Sequence, residues 1–172
     1  MIRKATKEDI PSIVKIYDAI LDYEEAGKLH IGWARGVYPT EQTALDSLGK
    51  GTLFVCEDGG RIVASAKIDQ TQVPEYRDAS WKYDAPDHEI MVLHALAVDP
   101  AASRCSYGKT FVRFYEQYAL EHNCHYLRMD TQEINKTAQS LYKKLGYREA
   151  GVVFCVFNGI PNVRLMCLEK KI

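Results

Sequence analysis

The stretch from Val92 to Ala119 constrains the fold of this 172-residue chain more than any other. It reads as an apolar strand, a loop of small residues that closes at Gly108, and an amphipathic helix. A strand that enters a helix through such a loop directs the first, unpaired N–H groups of the helix at one point. Because the helix dipole favours negative charge there, the stretch predicts a site for a phosphate or pyrophosphate group.

The rest of the chain alternates between helix and strand patterns. Apolar residues recur at helical spacing after Thr6, Thr40 and Asn135. Short apolar runs predict the remaining strands, and the turn residues Asp58-Gly59-Gly60 and Asn158-Gly159 are typical of hairpins. The sequence therefore predicts helices and strands in regular succession, with no linker or internal repeat.

The order of these elements predicts the architecture. Residues 71–88 are polar and aromatic and predict an excursion over the surface, partly as strand. The full order is β-α-α-β-β-β-α-β-α-β-β, with residues 89–98 as the central strand. It predicts an α/β fold (an α+β mixed sheet) with helices on both faces. A length of 172 residues fits one domain over residues 1–172.

Charge and cysteine content exclude several classes of function. The formal net charge of −1 gives no electrostatic attraction to nucleic acid or to an anionic membrane. No apolar run reaches the roughly 18 residues that a membrane span needs, and the N-terminus does not resemble a signal peptide. Four of the five cysteines lie in apolar segments without metal-like spacing, at Cys56, Cys124, Cys155 and Cys167. We expect reduced thiols, no metal and a cytoplasmic protein.

Two blocks of sequence carry a family resemblance. LAVDP followed by SRCSYGKTFV, and then NKTAQSLYKKLGY, resemble the GNAT superfamily of acyl-CoA-dependent N-acetyltransferases. The resemblance covers nearly the whole chain and implies the GNAT fold with acetyl-CoA as co-substrate. It assigns the loop and the start of the following helix to the pyrophosphate, namely Ser103, Arg104, Ser106, Tyr107, Gly108, Lys109 and Thr110.

The loop departs from the family pattern Gln/Arg-x-x-Gly-x-Gly/Ala. Gly108 takes the last position, whereas Ser103 replaces the first residue and Ser106 the first glycine. Arg104 lies one place off, and in this resemblance it would supply the lost positive charge. Backbone N–H groups can still hold a pyrophosphate, provided that Ser106 accepts a conformation that glycine adopts more freely.

The resemblance also implies how the acyl group is held. The backbone of Leu96, Ala97 and Val98 would bind pantetheine and the acetyl carbonyl, and Asn135 would contact the cofactor. Tyr142, two helical turns after Asn135 and on the same face, would act as general acid toward the coenzyme A sulfur. A reference pKa of about 10 keeps a tyrosine protonated at neutral pH. The alternatives are a core tyrosine and a helix-capping asparagine.

The general base has three candidates in the sequence. Strand alternation places His94 on the face of Leu96 and Val98, and a histidine pKa of about 6.5 suits proton removal. Glu89 is a second candidate of opposite parity, and a water relay is the third. The family often uses a glutamate on this strand, at the position that Val92 occupies. A core histidine with satisfied hydrogen bonds is the alternative for His94.

Aromatic residues predict the acceptor side of the site. Trp33, Tyr38 and Trp81, with Tyr83, lie on segments that border the acceptor in this fold, where cation–π contacts could hold an amine. Ordinary packing is the alternative. The expected function is direct acetyl transfer to the primary amine of a small molecule in a ternary complex. The rivals are a protein or peptide N-acetyltransferase and a non-catalytic acyl-CoA-binding regulatory module. The strand over 152–157 offers a pairing edge for a homodimer.

Overall fold

The computed structural model describes the backbone of residues 1–172 and the side chains of residues 1–102 and 106–172. Its strands and helices follow in the predicted order. The strands are β1 (Ile2–Lys4), β2 (Leu53–Asp58), β3 (Arg61–Asp69), β4 (Ile90–Val98), β5 (Tyr126–Gln132), β6 (Arg148–Phe157) and β7 (Ile160–Lys171). The helices are α1 (Ile10–Glu25), α2 (Glu41–Gly49), α3 (Tyr107–Glu121) and α4 (Lys136–Lys144). Short 3-10 helices span Lys7–Asp9, Pro74–Asp78, Asp87–Glu89 and Pro100–Cys105.

The seven strands form one mixed sheet in the order β1-β2-β3-β4-β5-β7-β6. Only the central pair β4 and β5 runs parallel, and the other neighbours are antiparallel. The hairpin turns predicted at Asp58-Gly59-Gly60 and Asn158-Gly159 connect β2 to β3 and β6 to β7. The predicted α/β fold class and mixed sheet are confirmed. Among the described residues, no helix is long and apolar enough to cross a membrane.

Helices cover both faces of the sheet because adjacent strand residues point to opposite sides. On one face α3 and α4 bury a core that includes Phe111, Val112, Tyr115 and Ala119. On the other face α1 and α2 bury a second core around Ile13 and Val55. The Tyr115 hydroxyl hydrogen bonds to the Met91 carbonyl of β4 at 2.6 Å, with the Arg128 carbonyl of β5 3.1 Å away. This contact reinforces the parallel pair where the two strands are hydrogen bonded.

The excursion over residues 71–88 contains two short 3-10 helices and no strand, so the prediction of partial strand is wrong. Pro74 and Pro86 have no N–H group to donate to a sheet ladder. The segment is held instead by the fully buried Glu169, which accepts hydrogen bonds from the N–H groups of Lys82 and Tyr83. Two of its backbone N–H groups are therefore satisfied by one buried carboxylate.

The two central strands separate halfway along their length. Their register runs from Ile90 opposite Tyr126 to Leu93 opposite Met129, and no pair follows. Beyond that point β5 continues beside β7, whereas β4 stays with β3. Residues 94–98 of β4 therefore present a backbone edge without a strand partner on the β5 side.

A bulge accompanies this separation and overturns one expectation. Lys67 pairs with His94 and Ser65 with Ala97, so three steps on β4 match two on β3. The extra residue is Ala95, whose φ of 50° lies in the left-handed region. Alternation is reset at the bulge, and Leu96 and Val98 pack against the α3 face. The prediction that His94 shares their face is therefore wrong.

Candidate active site

A cavity of about 470 Å³ opens between the separated ends of β4 and β5. The α1–α2 connection, α2, α4 and the β6–β7 turn complete its walls. Its inner lining includes His94, Ala95, Leu96, Asp130, Asn135 and Tyr142. The structure thus brings the predicted general acid, one predicted base and the predicted pantetheine strand to one space.

Tyr142 lies on the cavity wall and is only 6% exposed. Its ring packs on that of Tyr147, with centroids 6.2 Å apart. Burial raises the pKa of Tyr142, and the negative charge of Asp130 raises it further. The hydroxyl therefore keeps its proton at neutral pH, as a proton donor must.

Asn135 begins α4 and also lines the cavity. Its Oδ1 accepts a hydrogen bond from the Ala138 N–H at 3.1 Å, so the capping alternative holds for this side chain.

The start of α3 has the conformation that the sequence required. Ser106 has φ 59° and ψ 21°, in the left-handed region where glycine is easier to place. A Cβ on Gly108 would lie 3.2 Å from Leu141 Cδ2, so glycine allows α3 to approach α4 closely. Tyr107, Lys109 and Thr110 form the first turn of the helix. The predictions for the side chains of Ser103 and Arg104 lie outside the described residues.

His94 sits at the first position of β4 beyond the last pair with β5. Its Nε2 lies 3.1 Å from the Thr71 carbonyl and 3.3 Å from Asp69 Oδ1. A carbonyl can only accept, so Nε2 carries the hydrogen and the neutral ring has its lone pair on Nδ1. The ring is thus fixed in the tautomer that leaves Nδ1 able to take a proton.

Asp69 is the residue that orients this histidine. Its carboxylate also accepts from the Thr71 N–H at 2.9 Å and lies 3.0 Å from Lys67 Nζ. Although burial opposes ionisation, the hydrogen bonds from His94, Thr71 and Lys67 hold the pKa of Asp69 below its usual range. Sequence reasoning missed this residue, because its link to His94 depends on the register of β3 against β4.

Glu89 lies at the other end of the strand. It ends the 3-10 helix that precedes β4, and it is not among the residues that line the cavity. Val92, at the family's usual glutamate position, is fully buried. Of the two side chains proposed as base, only His94 reaches the cavity.

Two of the three predicted acceptor aromatics line the cavity, Trp33 and Tyr38. Their rings meet edge to face, with centroids 5.9 Å apart. The loop that carries them is tied to β5, because Gln132 Nε2 donates to the Gly32 carbonyl at 2.6 Å. Gly32 has φ 86°, and a Cβ there would overlap the Gln132 amide.

Trp81 lies elsewhere. Its Nε1 donates to the Tyr76 carbonyl at 2.7 Å, and the Arg128 guanidinium lies 4.2 Å from its ring centroid. It is not among the cavity-lining residues, so its position gives no support to an acceptor role. Tyr83 packs against Tyr126 on the same outer side of the sheet.

Comparison with known proteins gives a consistent family. Residues 14–147 match the model of the acetyltransferase (GNAT) family. An uncharacterized N-acetyltransferase of Methanocaldococcus jannaschii is 24% identical over 153 residues, which are 88% of this chain. The matched region spans 62% of that relative's length.

Solved structures share the fold. A GNAT-family acetyltransferase of Streptococcus agalactiae superposes with a TM-score of 0.82 at 22% identity, over 100% of this chain and 95% of the other. A ribosomal-protein-alanine N-acetyltransferase of Brucella melitensis gives a TM-score of 0.72 at 18% identity, over 100% and 99% of the two chains. At these identities the likeness concerns the fold alone.

Proposed function

This chain belongs to the acetyltransferase (GNAT) family, and we propose that it moves an acetyl group from acetyl-CoA to the primary amine of a small molecule. The observation that carries the proposal is the open, unpaired edge of β4 in the same cavity as Tyr142 and His94. The edge can bind an extended acyl-pantetheine, and the two side chains can exchange protons with what lies beside it.

Acetyl-CoA, the co-substrate of the family, would lie along this edge. Along Leu96, Ala97 and Val98, the backbone groups that point away from β3 are suited to hydrogen bond an amide-containing arm, as a neighbouring strand would. The start of α3 from Ser106 to Lys109 would hold the pyrophosphate with backbone N–H groups, whereas the Thr110 N–H donates to the Ser106 carbonyl at 3.0 Å. The Asn135 side chain would contact the arm between these points.

The proton transfers can be assigned to described groups. An acceptor ammonium loses one proton to His94 Nδ1, and its nitrogen then forms the C–N bond with the thioester carbonyl carbon. The C–S bond breaks, and Tyr142 donates its proton to the departing sulfur. The nitrogen loses a second proton as the amide forms, and this proton returns to the Tyr142 oxygen. The proton on His94 leaves to solvent.

Holding both substrates in one cavity supplies much of the rate. Intramolecular positioning of two reactants corresponds to effective concentrations of about 10⁵ M or more. We propose direct transfer in a ternary complex for this reason, without an acyl-enzyme. Among the described cysteines, Cys56, Cys124 and Cys167 are buried free thiols, and burial raises the pKa of each. These thiols are poor nucleophiles.

The size of the cavity supports a small acceptor. About 470 Å³ must hold the end of the pantetheine arm as well as the amine, and typical small-molecule sites have about 300–1,000 Å³. An acceptor on a protein or peptide is the second candidate, since a protein of the same fold is named as a ribosomal-protein-alanine acetyltransferase. A cytoplasmic location is supported by the free thiols of the described cysteines.

The test is release of coenzyme A thiol with a panel of amines and peptides, for the natural protein and Tyr142→Phe. We expect amine-dependent release that falls about 100-fold or more in Tyr142→Phe, while acetyl-CoA binding by calorimetry is unchanged. Tyr118→Phe is the control, because Tyr118 stacks on Phe114 away from the cavity.

Each rival has its own outcome in this test. Binding of acetyl-CoA without release for any acceptor would identify a regulatory module. Release with peptides but not with small amines would identify the second candidate. Unchanged turnover in Tyr142→Phe would remove Tyr142 as the acid.

A further inference from the structure

Asp130 occupies a special position in the cavity. The last pair between the central strands is Leu93 with Met129, so His94 and Asp130 are the first residues beyond it on β4 and β5. Val92 and Arg128 are paired two residues earlier, and side chains two apart on a strand share a face. His94 and Asp130 therefore flank the apex of the gap on the same face of the sheet.

The Asp130 carboxylate is held by a hydrogen bond at one oxygen. Tyr76, only 2% exposed, donates its hydroxyl to Asp130 Oδ2 at 2.7 Å. In the part of the chain whose side chains are described, no lysine or arginine forms an ion pair with Asp130. A carboxylate in such a place is costly to ionise alone and gains most from a bound cation.

The electrostatic surroundings of Asp130 also favour a bound cation. Burial raises the pKa of its carboxyl, against the lowering effect of Tyr76 and His94, and Glu75 adds negative charge nearby. Burial is the main cause that raises the pKa of the Tyr38 and Tyr142 hydroxyls, and the negative charge of Asp130 raises both further. A ligand ammonium would be the missing positive charge in this cluster.

The rest of the cavity wall indicates the chemical character of the part of the ligand beyond its ammonium group. It includes the apolar and aromatic side chains of Trp33, Tyr38, Phe157, Ile160 and Leu165, beside neutral polar side chains such as Thr131 and an exposed second carboxylate, Asp46. Of the described residues, no arginine lines the cavity, Lys67 is engaged by Asp69, and Lys50 lies exposed at the rim. The inner cavity thus has a partner for an amine but none for a carboxylate.

We infer that Asp130 binds the ammonium group of an acceptor that has an apolar or aromatic body, one positive charge and no carboxylate. Tyr76 positions the Asp130 carboxylate, and the ammonium lies beside His94, which takes its proton. The inference rests on the proposed function and names the substrate class of the same cavity.

Equilibrium binding tests it without requiring turnover. 2-Phenylethylamine is titrated into the protein saturated with coenzyme A, and the heat is measured for the natural protein, Asp130→Asn and Asp78→Asn. Asparagine keeps an acceptor for Tyr76 but removes the charge, so we expect about 10- to 100-fold weaker binding in Asp130→Asn. Asp78→Asn makes the same change at an exposed site two residues from Tyr76 and should bind as the natural protein does. Tyr76→Phe should weaken binding as well, since it frees the carboxylate.

Matched ligands test the substrate class. Phenylalanine has the same body with an added carboxylate and should bind at least about tenfold more weakly. Equal binding in Asp130→Asn would overturn the role of Asp130. Tighter binding of phenylalanine, 1,4-diaminobutane or an alanine-led peptide would overturn the class. Normal amine binding without thiol release would instead contradict the proposed function and leave this inference standing.

Discussion

Asp69 orients the proposed base His94 through a group of hydrogen bonds that it shares with its neighbours. Its carboxylate joins Lys67, Thr71 and His94, and it fixes the ring that we propose as base. Asp130, on the other side of the gap, is the residue that we propose to bind the acceptor ammonium. Neither residue could be assigned from the sequence, because an aspartate at the end of a strand has the same local pattern whether it faces a cavity or a loop.

We predict that Asp69→Asn destabilises the protein in a pH-dependent way. The folded-state pKa lies below the unfolded value of about 3.9, so the carboxylate contributes stability above that value and loses it as pH falls. Loss of hydrogen bonds to a charged group should cost about 1.5–3 kcal/mol at pH 7. Urea unfolding between pH 7 and pH 3 measures this, and the difference from the natural protein should narrow below about pH 5.

Asp18→Asn is the matched control for Asp69→Asn. Asp18 lies 3.5 Å from Arg35 with its side chain 58% exposed, so its loss should cost less than about 0.5 kcal/mol. A penalty for Asp69→Asn that is the same at every pH would show that packing, not charge, is what Asp69 contributes.

Asn135 and Tyr142 were predicted together from the spacing of their motif, whereas His94 was predicted from a strand alternation that the bulge at Ala95 breaks. The helix period puts Asn135 and Tyr142 on one face, and both line the cavity. Trp81 was placed in the acceptor group from its segment alone, although Arg128 and the Tyr76 carbonyl hold it elsewhere. An irregular segment such as 71–88 lacks the periodicity of a helix or strand, so its sequence does not predict the direction of its side chains.

Strands and helices were predictable in kind and order, since each has its own periodicity and turn residues. The bulge at Ala95 and the separation after Leu93 were not, because they depend on the register between strands distant in sequence. These two features open the sheet and create the cavity. The central strand was predicted, but its bulge and its open edge beyond Leu93 were not.

The loop before α3 carries a prediction about stability. Ser106 has φ 59°, a conformation that costs a non-glycine residue about 1 kcal/mol or more. We therefore expect Ser106→Gly to stabilise the protein by about 0.5–1 kcal/mol, with acetyl-CoA binding retained. Ser140→Gly, at an exposed position inside α4, should instead destabilise it by about 0.5 kcal/mol. Thermal unfolding of the two variants decides, and destabilisation by Ser106→Gly would contradict the strain argument.

At the scale of the whole molecule, β6 presents an exposed apolar edge among the described residues. β6 is the last strand of the sheet, and Val152, Phe154 and Val156 point outward with Phe154 69% exposed. We predict a homodimer through β6, because a free edge with apolar side chains favours pairing with a second copy. Phe154→Glu should give a monomer in sedimentation experiments, and Leu120→Glu, an exposed site on α3, should leave the dimer intact. A monomeric natural protein at micromolar concentration would refute the prediction.

Acyl transfer within one ternary complex is the central claim, and initial rates test it most directly. Acetyl-CoA and 2-phenylethylamine are varied together, and thiol release is measured at each pair of concentrations. The proposed function has both substrates in the gap between β4 and β5 at once, which predicts reciprocal plots with intersecting lines. Parallel lines, which indicate a covalent acyl-enzyme that releases coenzyme A before the amine binds, would contradict the claim.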